Sequence, residues 1–185
     1  MSLSDEEKEV LMDIAKESIR CAVMGEETPE FEISSDNLKE NCGAFVTITK
    51  RGDLRGCIGY TLPLDSLYKI ISEVAKSAAL SDPRFPPMRE DELNEIELDI
   101  SVLSPLKEIS DISEIEVGKH GLLIEKGGFK GLLLPQVAIE QNWDRIKFIE
   151  QTCYKAGLNK DAWKESDTII KTFSAEVFGE KSNRE

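Results

Sequence analysis

GAFVTITKRGDLRGCIGY, residues 43–60, decides the fold. Its first half, Gly43 to Lys50, is β-branched and aromatic, the composition of a half-buried strand. Arg51, Gly52 and Asp53 supply a polar tip, so LRGCIGY is read as a strand returning along the first. Side chains alternate across a strand. Leu54 and Ile58 are therefore expected on one face, anchoring the core, with Arg55 and Cys57 on the other. Gly56 and Gly59 carry no Cβ and are read as clearing the backbone for a close approach to Cys57.

Upstream, Ser4 and Glu7 form a capping-box pattern ahead of Val10, Leu11, Ile14, Ile19 and Val23 at helical spacing. This predicts a helix to about Met24, stopped by Gly25. The polar stretch 25–41 reads as two turns. Downstream, Asp65 to Leu80 places Leu67, Ile70, Ile71, Val74, Ala75 and Ala78 on one helical stripe. SDPRFPP, 81–87, is a loop stiffened by three prolines, which fix the directions of Asp82 and Arg84, and a short helix is expected around Asp91 to Leu93. IELDISVL, 96–103, alternates cleanly as a strand with Ile96, Leu98, Ile100 and Val102 inward.

HGLLIEK and FKGLLLP flank Gly127 and Gly128, a pair suited to a type I′ hairpin turn. After Pro135, QVAIEQNW reads as a short helix leading to a longer one, Asp144 to Ala156, capped by Gly157. DAWKES offers a helical turn, Ile169 to Phe178 a closing strand, and EKSNRE a frayed tail. Strands joined mainly as hairpins with helices between them favour an α+β fold, mainly an antiparallel sheet with flanking helices, over a parallel doubly wound sheet. A chain of 185 residues fits one domain, 1–185, with a smaller lobe expected at about 82–135.

The chain carries 23 basic and 36 acidic residues, a formal net charge of −13, so its long-range field repels phosphate backbones and anionic lipid. Nucleic acid and membrane are not expected partners. The cysteines, Cys21, Cys42, Cys57 and Cys153, contain no C-x-x-C pair, and one histidine, His120, cannot complete a usual zinc set. No metal and no cofactor is expected. Reduced thiols fit a chain of this size, and the absence of a basic, apolar leader or a long apolar run places it in the cytoplasm. The runs SDEEKE, REDE and EKSNRE read as solvated faces.

LRGCIGY, DPRFPPM, ELDISVLSP, GKHGLLIEKGGFKGLLLPQVA and QTCYKAGL, in that order, together resemble the AMMECR domain family, the A protein of the AmmeMemoRadiSam system. The resemblance covers roughly Gly43 to Phe178. It implies an α+β domain of two intimately packed lobes with LRGCIG as signature. It also implies a pathway shared with a Memo-like protein and a radical S-adenosylmethionine enzyme, without assigning chemistry.

The candidate site gathers around LRGCIG. Arg55, leaving the same strand face as Cys57, is a cation that favours thiolate, while a small hydrophobe in a tight strand crossing is the plainer role for Cys57. His120, expected on a loop before a strand, is the one imidazole available as a base, or else a backbone-bonded turn residue. Asp82 and Arg84 form either a clamp for a carboxylate or phosphate or an internal salt bridge, with Phe85 plugging the core beside them. Gln136, at the end of a buried strand, lines a pocket or caps the next helix. Trp143 and Trp163 read as packing anchors. The primary reading is a binding or accessory module with a small polar cleft: Arg55, Gly56, Gly59, Asp82, Arg84 and Gln136 bind a small anionic ligand. The alternative is a Cys-dependent enzyme, acyl or related group transfer, with Cys57 as nucleophile and His120 as base.

Overall fold

The structure, a computed structural model, describes residues 2–180. Helix α1 (Asp5–Met24) begins at the expected capping box: Ser4 accepts the Glu7 N–H through its hydroxyl, while the Glu7 carboxylate accepts the Ser4 N–H. It ends at Gly25, whose φ of 71° lets the chain leave in the left-handed conformation. Strand β1 (Ala44–Lys50) and strand β2 (Asp53–Tyr60) form the hairpin, and helix α2 (Leu67–Leu80) follows. Strand β3 (Ile96–Leu103) pairs with the other edge of β1, so β1 is central and β2 outermost.

The inward residues of β1 and β3, Val46, Ile48, Leu98 and Ile100, are buried with Leu11, Ile14 and Ile19 of α1 and Ile70, Ile71 and Val74 of α2. The hairpin departs from the expected alternation at one point. Ile48 lies opposite Gly56 but Thr49 opposite Leu54, so Arg55 is the extra residue of a bulge. The alternation therefore restarts after Leu54, which is 43% exposed and does not anchor the core; Ile58 does pack against it.

After β3 come strand β4 (Lys107–Ile109), strand β5 (His120–Lys126) and strand β6 (Phe129–Leu133). Helix α3 (Pro135–Glu140), helix α4 (Arg145–Lys155) and strand β7 (Ile169–Gly179) complete the chain. Gly127 and Gly128, with φ of 54° and 89°, make the two-residue turn between β5 and β6. Strand β7 pairs with β4 and β5, and β5 with β6, all antiparallel, leaving β6 outermost. Asp144 caps α4 by accepting the Lys147 N–H. A core of Ile115, Leu122, Ile124, Phe148, Ile149 and Cys153 results, with Trp143 and Trp163 packed against it as the sequence predicted.

The fold is α+β. The chain divides into two compact units, Met1–Leu103 with Glu176–Glu185, and Ser104–Ala175. The smaller unit thus differs from the expected 82–135: pairing of β3 with β1 keeps residues 82–103 in the first unit, and the packing of α4 on β5 and β6 carries the second on past Leu133. The short strand β4 and the single 3₁₀ turns at Asn37–Lys39 and Ile112–Glu114 are too brief to leave a periodic signal. Of EKSNRE, only Glu180 lies within the described residues.

Candidate functional site

Cys57 sits opposite Thr47 in the β1–β2 ladder, and its Sγ is 3.2 Å from the Thr47 hydroxyl oxygen. All four cysteines are free, but they differ in access. Cys21, Cys42 and Cys153 are buried, and burial is the leading cause that pushes each of these thiols up in pKa; Cys57 alone is half-buried.

The peptide of Cys57 faces away from β1 and is held by the proline-stiffened loop. Its N–H donates to Asp82 Oδ2 at 2.9 Å, and its carbonyl accepts from Arg84 Nη2 at 3.2 Å. Asp82 also accepts from Arg84 Nε at 2.9 Å, Nη2 at 2.7 Å and the Arg84 N–H at 3.1 Å. Of the two expected roles for this pair, the internal salt bridge is the one observed. Arg84 first, then the Cys57 and Arg84 amides, hold the Asp82 carboxyl well below the usual carboxylate range against the opposing effect of burial. Asp82 is buried, but the Arg84 side chain is 53% exposed. Its pKa is raised chiefly by the Asp82 carboxylate, against the opposing effect of burial.

Arg55 is not spent on Cys57. Its Nε and Nη2 each lie 3.0 Å from the Glu92 carboxylate, and Nη2 also donates to the Pro86 carbonyl. Glu92, from the REDE run read as a solvated face, is buried. Arg55 first, with the Arg89 amide and Lys50 adding, lowers its pKa to about 2. The bulge turns Arg55 to this partner, while its Nη1 is buried without a hydrogen-bond partner among the described residues. Phe85, expected to plug the core, instead lies between two guanidinium groups, with the Arg55 and Arg84 Cζ atoms 5.9 and 5.5 Å from its ring centre.

The glycines are accounted for by packing. A Cβ on Gly56 would stand 2.2 Å from the Ala78 carbonyl oxygen of α2, and one on Gly59 would stand 2.3 Å from the Phe45 ring. What approaches the strand at these points is the protein itself, not open space for a ligand. Arg55, Gly56, Cys57, Asp82 and Arg84 are brought together in the first unit. His120 and Gln136 belong to the second. His120 is the first residue of β5, not a loop residue, and its Nδ1 accepts the Glu116 N–H at 3.1 Å, as in the backbone-bonded role. Gln136 is exposed as the second residue of α3.

Sequence reasoning missed two residues, Thr47 and Glu92. Thr47 was legible in principle, because an antiparallel partner of Cys57 had to come from β1. Glu92 carried no signal within its acidic run. Among the described residues no cluster of three or more His, Cys, Asp or Glu side chains is placed to hold a metal ion, and no helix is long and apolar enough to cross a membrane. The arrangement can hold an anionic group at Arg84, whose guanidinium is bonded to the backbone of a half-buried cysteine.

Comparison with known proteins gives this site its setting. The AMMECR1 family model matches residues 12–178. The chain belongs to the AMMECR1 family. A protein of Methanosarcina barkeri is 43% identical, with 97% of this chain and 93% of that one covered, and a protein of Thermococcus onnurineus is 43% identical with the same coverage. Among solved structures, that of an uncharacterized protein from Pyrococcus horikoshii matches with a TM-score of 0.80 at 37% identity, covering 97% of this chain and 94% of that one. The AMMECR1 match takes in residues of both units, from within α1 to Phe178 of β7, so Cys57 and His120 both fall within it.

Proposed function

We propose that this AMMECR1-family chain is a binding or accessory module whose site is the Cys57 end of β2, receiving a small anionic group carried by a metabolite or by a partner's segment. The single observation that supports this most is Arg84. Its guanidinium is fixed by Asp82 and the carbonyl of the half-buried Cys57, yet half of the side chain remains exposed. A cation held in place loses little freedom when an anion arrives, so it binds more tightly than a mobile surface lysine. Asp82, Gly56 and Gly59 shape the strand and loop that present it, and Arg55 with Glu92 fixes the bulge beneath.

The partners proposed are a Memo-like protein and a radical S-adenosylmethionine enzyme, as the family resemblance implies, and the compartment proposed is the cytoplasm. Capture of each from solution by the full chain, repeated with Arg84→Gln, tests the reading. Binding that falls at least tenfold in the variant supports it; binding of both partners unaffected by Arg84→Gln and Thr47→Val contradicts it.

The accessible thiol supports one second reading, group transfer with Cys57 as nucleophile. Thr47 offers a hydroxyl that can donate to the sulfur. Turnover abolished by Cys57→Ser and lowered by Thr47→Val, with melting temperatures unchanged, is the result that selects this reading over binding.

A further inference from the structure

The two outermost strands are treated very differently. An edge strand presents unpaired N–H and C=O groups, and proteins that stay apart block them with bulges, charges or covering loops. β2 has such protection: the Arg55 bulge, and the Asp82–Arg84 pair that occupies the Cys57 peptide as a neighbouring strand would. β6 has no bulge in its register, and its one charge, Lys130, is paired to Glu125 of the neighbouring strand.

The register identifies the open groups. Lys126 and Phe129 close the two-residue turn and exchange the ladder bonds there; alternation then turns the N–H and C=O of Lys130 and Leu132 away from β5. Neither residue's backbone has a partner among the described residues. The strand is regular, and its first side chain, Phe129, is 56% exposed.

Charge distribution favours one occupant. Ser104–Ala175 holds 10 basic and 11 acidic residues, whereas the rest of the chain holds 13 and 25. The unit that carries β6 is thus close to neutral, so its own charge does little to oppose a second copy. The one lysine on β6, Lys130, is itself paired to Glu125 at 2.5 Å. The strand is also self-complementary. With a two-fold axis through Gly131, Lys130 meets Leu132 of a second copy and the reverse, giving four N–H···O=C bonds, while Phe129 meets the second copy's Leu133 on the opposite face.

We infer that the β6 edge is an interface for a second copy of this chain, added antiparallel about Gly131 so that two sheets become one. The pairing takes nothing from the β5–β6 ladder, because only outward groups are used. Leu132→Pro removes one of these N–H groups, in each copy, without touching an internal bond.

Sedimentation of the full chain over a wide concentration range, with amide exchange read at Lys130 and Leu132, tests the inference. The expected result is a dimer whose formation protects those two amides, and which is lost in Leu132→Pro and weakened in Phe129→Ser. A chain that stays monomeric at the highest concentration with both amides unprotected overturns it. So does a dimer that persists in both variants, which would place the contact elsewhere. If Leu132→Pro does not fold, Phe129→Ser and the amide protection decide the matter alone.

Discussion

Gly56 and Gly59 show what close packing asks of single residues. The Ala78 carbonyl and the Phe45 ring occupy the places their side chains would take. Gly56→Ala must push backbone against backbone, so a loss of about 1–3 kcal/mol is expected, read as a lower urea midpoint. Gly59→Ala meets a ring as well as the Ala44 carbonyl oxygen at 2.4 Å, and a loss of similar size is expected. A protein unaffected by either substitution would return these glycines to the ligand-clearing role. Glu92 gives a prediction in pH. Its carboxyl titrates near its ordinary 4.5 when the chain unfolds but at about 2 when folded, so the unfolded state takes up the proton first. The stabilisation from Arg55 is complete above pH 4.5 and fades as pH falls toward 2. Thermal melts across that window should show less acid loss in Glu92→Gln than in the parent, the variant starting from a lower stability; equal slopes would contradict the assignment.

At the scale of elements, the loop 81–87 acts as a strap on the β2 edge. Asp82→Ala frees the Cys57 N–H and leaves Arg84 without its carboxylate. The expected cost is about 2 kcal/mol, moderate because Arg84 is half exposed and water can take over part of its hydration. Asp82→Asn, which keeps an acceptor for the Cys57 amide, should recover part of that loss in the same denaturation series. Much of this scale was legible in the sequence. Capping at Ser4 and Glu7, the Gly127–Gly128 turn and the clean alternation of Ile96 to Leu103 are local signals, and α1, the β5–β6 hairpin and β3 followed them. The bulge at Arg55 was not, because alternation along one strand says nothing about a residue skipped by its partner. The consequence reached the site: the cation expected beside Cys57 turned to Glu92, and Arg84, from a loop more than twenty residues on, bonded the Cys57 carbonyl instead.

Across the whole molecule, the acidic balance read from composition concealed a division. The excess of 13 acidic residues falls almost wholly outside Ser104–Ala175. Composition gives the total but only the fold says which residues share a unit. The first unit carries that strongly negative field, so an anion approaching the site proposed at Arg84 is repelled at long range. Added salt screens the long-range part first.

The site is best tested by the rate of Cys57 alkylation with iodoacetate relative to iodoacetamide, measured on the native chain by peptide mass spectrometry and normalised to the same ratio for a small free thiol. Cys57 is expected to label far ahead of Cys21, Cys42 and Cys153, the anionic reagent to gain relative to the free thiol, and Arg84→Gln to remove the gain. A Cys57 that labels no faster than the buried three, or a normalised ratio that is unchanged in Arg84→Gln, would contradict a cation-flanked, reachable thiol as the centre of this protein's function.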